Sequence, residues 1–296
     1  MNINGETNVY GIIGNPVSHS LSPLFQNYFL ELGQLNGVYV PFHVERDSLT
    51  DALSGLIALG VRGVNVTIPY KEDALRHIIT DAESAMVGAI NTIKFEDGQT
   101  TAKNTDWIGV KDALIGIGAG TGLEDSDVLM IGAGGTARAV IHALENMNAV
   151  KISICNRNTE RLNQLLAHAR LNYPRVKFTS IPWEHTEVEQ ASNSASLVIN
   201  CTSVGLHGEP FPFAIKGKGF AFDIVYEKKG FTSFCQQAHK CGRVYADGLP
   251  MLIAQGAASF VWWHGGQTPD KLATMRWIEQ KLGRSQMLLP GWEAAG

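Results

Sequence analysis

The stretch DVLMIGAGGTAR, residues 127–138, decides the fold of the second half of the chain. It begins with an apolar run typical of a buried strand, passes through a glycine turn, and enters a segment with helical spacing of apolar residues. The turn has the spacing G-x-G-x-x-A: Gly132 allows a tight turn, Gly134 lets the backbone approach a pyrophosphate, and Ala137 permits close helix–strand packing. Glycine also serves plain turns, so the strand–turn–helix context is what favours a dinucleotide site.

The residues after the next predicted strand indicate which dinucleotide is bound. A site for NAD places an acidic residue there, where it binds the ribose 2′-hydroxyl. This chain has Asn156 and Arg157 instead, with Arg161 shortly after. Because a guanidinium binds a 2′-phosphate in a bidentate manner, the sequence favours NADP over NAD. The alternative is that Arg157 is only a solvated surface residue.

Length and composition exclude several classes of protein. A chain of 296 residues suggests roughly two domains at about 150 residues each. With 24 basic residues, 28 acidic residues and no basic run, a nucleic-acid partner is not expected. No apolar stretch approaches the ~18 residues of a membrane span, and the N-terminus does not resemble a secretory signal. The four cysteines lack the spacing of a zinc site, so we expect no metal and a reducing, cytoplasmic location.

Strands and helices alternate along the chain, which predicts an α/β fold with mainly parallel sheets. A hairpin is predicted around Asp97-Gly98, and the glycine-dense segment 116–122 is the best linker candidate. We expect an N-terminal open α/β domain followed by a Rossmann-type domain. Besides 127–131, strands are predicted at 9–14, 37–44, 63–68, 151–155, 197–200 and 221–225, and helices from 22 and at 47–59, 72–79, 138–146 and 159–169.

Polar residues cluster after the apolar strands of the first half of the chain. Because ligands of open α/β sheets bind beyond the carboxyl ends of the strands, these segments are expected to line one crevice. They offer hydroxyls, amides, one ammonium and one carboxylate, which suits a small polyhydroxylated acid. Each also has a structural alternative, since Ser22 and Asp106 are possible helix caps and Asn65 a strand-end residue. The segments are Ser18–Ser22, Asn65, Thr67, Lys71, Asn91-Thr92 and Asn104–Asp106.

Eight segments, taken together and in order, resemble the shikimate dehydrogenase family. They are Ser20–Pro23, Asn65–Lys71, Gly88–Thr92, Asn104–Asp106, the glycine turn, Asn156-Arg157, Asn200–Gly205 and Met251–Gln255. The resemblance implies a substrate-binding catalytic domain at residues 1–106, completed by C-terminal helices at 249–296, and an NADP-binding Rossmann domain at 107–248. It implies reversible, NADP-dependent reduction of 3-dehydroshikimate to shikimate, a step toward chorismate and the aromatic amino acids, by a monomer or homodimer.

The resemblance also implies roles for individual residues. Lys71 and Asp106 would form the catalytic pair, with Lys71 exchanging the proton of the reacting hydroxyl. The substrate would be bound by Ser20, Ser22, Asn65, Thr67, Asn91, Tyr226 and Gln255. The cofactor would be bound by Gly132, Ala133, Gly134, Gly135, Thr136, Ala137, Asn156, Arg157, Arg161, Thr202, Gly248 and Met251.

Three departures from the family pattern leave alternatives open. Trp107 stands where the family has Gly after N-T-D, Pro250 stands at a position that is generally a small residue, and the usual Pro after Tyr226 is absent. One alternative is a quinate/shikimate dehydrogenase paralogue that uses NAD or a related acid. An alternative of a different class is a non-catalytic, metabolite-binding regulator. The presence of both Lys71 and Asp106 favours an enzyme.

Overall fold

The computed structural model describes residues 3–76, 78–120, 123–206, 208–266 and 268–294. The chain divides into two compact units. The first unit contains the residues up to Asp106 together with Gln255–Asp270, and the second contains Trp107–Ala254 together with the residues from Lys271 onward.

The first unit is an open α/β sheet with a hairpin at one side. Its strands are β1 (Asn8–Gly14), β2 (Gly37–His43), β3 (Gly63–Val66), β4 (Ile79–Thr80), β5 (Thr92–Glu96) and β6 (Gln99–Lys103), and its helices are α1 (Ser22–Leu32), α2 (Leu49–Ala58), α3 (Lys71–Leu75) and α4 (Ala82–Val87). The strand order is β2-β1-β3-β5-β6-β4. β1 is parallel to both β2 and β3, whereas β5 is antiparallel to β3 and β6. The hairpin predicted around Asp97-Gly98 is the β5–β6 turn.

The second unit is a parallel sheet with the strand order of a Rossmann fold. Its strands are β7 (Asp127–Ile131), β8 (Lys151–Cys155), β9 (Lys177–Ser180), β10 (Leu197–Asn200), β11 (Phe220–Asp223) and β12 (Val244–Ala246). The order β12-β11-β10-β7-β8-β9, with all neighbours parallel, is the doubly wound order that reverses direction next to its first strand. Its helices include α6 (Ala137–Asn146), α7 (Thr159–Asn172), α8 (His185–Ser194) and α9 (Ser233–Lys240).

Four further helices complete the chain. α5 (Asp106–Gly116) follows β6, and α10 (Gly248–His264) contributes residues to both units. α11 (Lys271–Leu282) and α12 (Pro290–Glu293) lie in the second unit. The predicted linker 116–122 therefore starts at the end of α5 inside the second unit, and residues 121–122 lie outside the described residues.

The C-terminal helices differ from the sequence-based expectation. Residues 249–296 were expected to complete the first domain, but among them only 255–270 belong to the first unit. α11 and α12 are instead tied to α5, because Lys271 Nζ lies 2.5 Å from Asp112 Oδ2 and Trp292 Nε1 donates a hydrogen bond to the Asp112 carbonyl at 2.9 Å. Residues 271–294 therefore group with the second unit, and the domain boundaries stay a prediction.

Several predicted elements are shorter than expected, among them the strand predicted at 221–225, which is β11 and ends at Asp223. The strand predicted at 63–68 ends at Val66, and the helix predicted at 72–79 is the five-residue α3, after which β4 begins at Ile79; His77 lies outside the described residues. The helix predicted at 47–59 is a short 3₁₀ turn followed by α2.

Candidate active site

Lys71 and Asp106 form an ion pair in the first unit. Lys71 is the first residue of α3, just beyond β3, and Asp106 is the first residue of α5, just beyond β6. Lys71 Nζ lies 2.6 Å from Asp106 Oδ2, and the two side chains are only 15% and 6% exposed. The pair is thus shielded from bulk water, which strengthens the attraction between ammonium and carboxylate. The second carboxylate oxygen of Asp106 has a different partner.

The second oxygen of Asp106 is held by Asn91. Asn91 Nδ2 donates to Asp106 Oδ1 at 2.9 Å and to Gln255 Oε1 at 3.1 Å. Asn91 Oδ1 accepts the Thr105 amide hydrogen at 2.7 Å. Asn91 is buried, so these bonds fix its amide plane and, through it, the carboxylate that faces Lys71. Four residues expected at the site are therefore joined in one network: Lys71, Asn91, Asp106 and Gln255.

Asn65 lies at the buried end of the same network. Its Nδ2 donates to the Asn91 carbonyl at 3.1 Å and to Ser259 Oγ at 3.0 Å, and its Oδ1 accepts from the Tyr39 hydroxyl at 2.8 Å. Burial raises the pKa of Tyr39 well above its usual value, so the hydroxyl stays a donor. The structural alternative for Asn65, satisfying polar groups near a strand end, is therefore realised.

Ser259 and Tyr39 are members of this network that the sequence interpretation did not single out. Ser259 Oγ contacts Thr92 Oγ1 at 2.7 Å and Thr105 Oγ1 at 3.1 Å, and its side chain is fully buried. Ser259 lies four residues after Gln255, on the same face of α10, and this spacing is the signal by which it could have been identified. Tyr39 gave no such signal, because a tyrosine in an apolar strand is typical of a core residue.

Ser20, Ser22 and Thr67 follow the ends of two neighbouring parallel strands, β1 and β3. The Ser22 amide donates to Ser20 Oγ at 3.2 Å, which closes a local turn before α1. Ser22 is the first residue of α1 and its side chain does not cap the helix, so the alternative of an N-cap is wrong. Thr67 is half-buried and its amide donates to the Ile13 carbonyl at 2.9 Å.

The glycine turn of the second unit admits no side chain at its first position. Gly132 has φ +111°, and a Cβ atom there would lie 2.7 Å from the carbonyl carbon of Cys201 and 2.8 Å from the Thr202 nitrogen. At Gly135, in contrast, a Cβ would meet nothing within 4 Å. The turn is anchored from the next strand, since the Ala133 amide donates to Asn156 Oδ1 at 3.0 Å. The backbone thus faces open space at Gly135.

The surroundings of this turn fit a phosphorylated dinucleotide. Among the described residues no side chain caps α6, and its first turn holds no acidic residue, so its amide dipoles remain available to an anion. Arg157 and Arg161 are exposed beyond the end of β8. Asn158 caps α7 by accepting the Arg161 amide hydrogen at 2.9 Å, which fixes where the arginine-bearing segment starts. The donor set is cationic and suits phosphate groups.

Thr202 is held by buried polar residues at the carboxyl ends of β10 and β11. Asn200 Oδ1 accepts from the Thr202 amide at 3.0 Å and from its hydroxyl at 2.7 Å. Asn200 Nδ2 donates to Asp223 Oδ1 at 2.8 Å. Burial raises the pKa of Asp223 to about 7, although hydrogen bonds from Thr232, Val225 and Asn200 oppose the shift.

The start of α10 contains Gly248 and Met251, and it contacts the segment that carries Tyr226. Tyr226 is half-buried in the segment after β11. The Gly248 amide donates to the Val225 carbonyl at 2.9 Å, and a Cβ on Gly248 would overlap the Ile224 carbonyl oxygen. Met251 is buried in the first turn of α10.

Two of the departures from the family pattern have local explanations. Pro250 is the third residue of α10, where a helix has no intrahelical acceptor for the N–H that proline lacks. Trp107 packs against His142 of α6 in a T-shaped contact with ring centroids 5.0 Å apart. Nothing in the structure explains the missing proline after Tyr226.

Two negative findings apply to the described residues. None of their helices is both long enough and apolar enough to cross a membrane. In the same residues no group of three or more His, Cys, Asp or Glu side chains is arranged to hold a metal ion.

Fold and site define an α/β protein with a Rossmann-type dinucleotide-binding unit and a separate unit that carries a Lys–Asp pair. Residues 12–93 match the model of the shikimate dehydrogenase substrate binding domain, and residues 128–247 match that of the saccharopine dehydrogenase NADP binding domain. The shikimate dehydrogenase (NADP(+)) of Geobacter sulfurreducens is 38% identical over 277 residues, 92% of this chain and 96% of that protein.

Solved structures give the same result. The crystal structure of shikimate dehydrogenase from Aquifex aeolicus matches with a TM-score of 0.82 and 34% identity, covering 96% of this chain and all of that one. The enzyme from Thermus thermophilus in complex with NADP(H) and shikimate matches with a TM-score of 0.80 and 31% identity, over 93% of this chain and 100% of the other. The chain belongs to the shikimate dehydrogenase family, which confirms the family and the fold class predicted from sequence.

Proposed function

We propose that this protein is an NADP-dependent shikimate dehydrogenase that reversibly reduces 3-dehydroshikimate to shikimate. The observation that carries the proposal is the shielded ion pair between Lys71 and Asp106, held by Asn91 and joined to Gln255. Oxidation of an alcohol requires a group that takes the hydroxyl proton while hydride leaves the carbon. A lysine beside a carboxylate, in a pocket of hydroxyls and amides, is suited to that task.

The cofactor would exchange the hydride, with NADPH as the donor in reduction and NADP⁺ as the acceptor in oxidation. In the direction of reduction, the Lys71 ammonium donates a proton to the carbonyl oxygen of the substrate as that oxygen gains negative charge. In the reverse direction, the neutral amine accepts the proton of the hydroxyl. Asp106 holds Lys71 Nζ in place through Oδ2 and is proposed to accept a hydrogen bond from a neighbouring substrate hydroxyl.

The remaining polar side chains are proposed to bind the substrate. Ser20 and Ser22 would donate hydroxyl hydrogen bonds to the carboxylate. Thr67, Tyr226 and Gln255 would bind ring hydroxyls, together with Asn65 and Asn91. For the two asparagines this requires exchange of an existing protein hydrogen bond for one to the substrate, because their amide hydrogens already have partners.

The cofactor is proposed to bind to the second unit. The backbone from Gly132 to Ala137 would contact the pyrophosphate, which is consistent with the open space at Gly135 and the uncapped start of α6. Asn156, Arg157 and Arg161 would bind the ribose and its 2′-phosphate. Thr202, Gly248 and Met251 would contact the nicotinamide half.

A spectrophotometric panel tests this function. The purified protein is mixed with shikimate, quinate and related hydroxy acids, each with NADP and with NAD, and the absorbance of reduced nicotinamide is followed. We expect kcat/KM to be highest for shikimate with NADP. Higher kcat/KM for quinate or with NAD would favour the paralogue, and binding of cofactor and acid without turnover would favour the regulator. A monomeric or homodimeric state and a cytoplasmic location stay predictions.

A further inference from the structure

Arg284 is a buried cation close to the end of the chain. It follows α11, and its side chain is fully buried in an ion pair with Asp247, which is also fully buried. Its Nη1 donates to the Glu227 carbonyl at 3.1 Å, and its guanidinium lies over the ring of Phe231 with 5.1 Å to the centroid. Burying a charge costs several kcal/mol, about what a good pairing geometry returns, so such a pair is weak evidence of stabilisation alone.

Both partners of Arg284 belong to segments that carry candidate ligand-binding residues. Asp247 immediately precedes α10, and its Oδ1 accepts the Leu249 amide hydrogen at 3.1 Å, so it caps the helix turn that contains Gly248 and Met251. Glu227 directly follows Tyr226. One planar guanidinium therefore fixes the start of α10 and the segment after β11 relative to each other.

This link adds to a direct one between the same two segments. The Gly248 amide donates to the Val225 carbonyl, and the close approach there leaves no room for a side chain. The Gly248 contact fixes the two backbones at one point only. A second contact at Glu227 prevents the two segments from rotating about that point. The forked guanidinium of Arg284 can make this contact while it also binds Asp247.

We propose that Arg284 is a positioning residue, which holds the Tyr226 segment in the geometry that binds the substrate and the first turn of α10 in the geometry that binds the nicotinamide half of the cofactor. The proposal rests on the proposed function. Arg284, which follows α11, would thus influence the reaction through Asp247 and Glu227, without contacting the substrate or the cofactor itself.

Two variants test the proposal against a matched control. Arg284→Lys keeps a cation opposite Asp247 but lacks the second arm that reaches the Glu227 carbonyl. The double variant Arg284→Met with Asp247→Asn removes both charges, so no buried charge is left unpaired, and Asn keeps an oxygen for the Leu249 amide. The control is Arg276→Lys, which disturbs an arginine of the same C-terminal segment that pairs with Glu279 and Glu293.

Three quantities are measured for each protein: the Kd of NADPH by fluorescence titration, kcat with shikimate, and Tm. Both Arg284 variants are expected to raise the Kd of NADPH and lower kcat by about tenfold, because displaced binding groups cost up to ~10²-fold in rate. Arg276→Lys is expected to keep both quantities within about twofold of wild type while lowering Tm.

Wild-type Kd and kcat in either folded Arg284 variant would overturn the positioning role, as would an equal loss in Arg276→Lys. These outcomes are distinguishable from failure of the proposed function. In that case the wild-type protein itself would bind no NADPH or oxidise no shikimate.

Discussion

Replacement of Gly132 by alanine should damage the second unit far more than the same change at Gly135. At position 132 the methyl group would lie 2.7 Å from the Cys201 carbonyl carbon and 2.8 Å from the Thr202 nitrogen, both backbone atoms that cannot rotate away, and φ is +111°. The left-handed backbone costs roughly 1–2 kcal/mol and the overpacking roughly 1–3 kcal/mol, about 2–5 kcal/mol of unfolding free energy in all. At about 2–4 °C per kcal/mol, Tm should fall by about 4–20 °C.

Gly135→Ala is the matched control, because a Cβ there meets nothing within 4 Å. Its Tm should stay equal to wild type or rise slightly, since alanine lowers the entropy of the unfolded chain. Its Kd for NADPH should rise, because the methyl group enters the space proposed for the pyrophosphate. Thermal unfolding followed by circular dichroism and a fluorescence titration measure the two effects. Equal Tm values for the two variants would refute the reasoning about Gly132, and unchanged NADPH affinity of Gly135→Ala would refute that about the turn.

Three further predictions concern separate sites. Arg157→Ala should raise KM for NADP about tenfold or more, with little change for NAD and none in Tm, since Arg157 is exposed; equal effects on both cofactors would argue against a 2′-phosphate contact. The pKa of Asp223 is raised to about 7, which means that the folded state binds a proton more tightly than the unfolded state. The contribution of Asp223 to the free energy of unfolding is therefore greatest below about pH 4 and is lost as pH rises through 7. Asp223→Asn should reduce the difference between the free energies of unfolding measured in urea at pH 5 and pH 7.5, and an unchanged difference would contradict the raised pKa. Trp107→Phe should retain the contact with His142 and the substrate preference, whereas Trp107→Gly should lower Tm by several degrees; a change of preferred acid in Trp107→Phe would place the ring at the substrate.

Three buried parallel strands of the second unit, β7, β8 and β10, were predictable from sequence to the residue. They are rich in β-branched and other apolar residues, most of which are buried, and turn residues flank them, so composition and flanking residues define their ends. β9 and α8 were missed, because only Phe178 is buried in the strand and the helix is mostly polar. These elements form because tertiary contacts outweigh weak local preferences.

The candidate site was predictable only in part. Motif order identified Lys71 and Asp106, and the structure places them in contact. The buried hydrogen bonds of Asn65 to Ser259 and Tyr39 join residues far apart in sequence, and no local pattern specifies them. The location of residues 271–294 in the second unit was not predictable for a similar reason. Apolar periodicity identifies the buried face of a helix but not the element against which that face packs.

The catalytic role of Lys71 is tested most directly by the kcat of Lys71→Ala with shikimate and NADP. The control is Lys94→Ala, which removes another partly buried lysine of the first unit, in an ion pair with Glu96 at 2.8 Å. If Lys71 transfers the proton, kcat should fall by about 10²–10⁴-fold with little change in KM, while Lys94→Ala stays close to wild type. A folded Lys71→Ala protein with near-normal kcat would contradict the account.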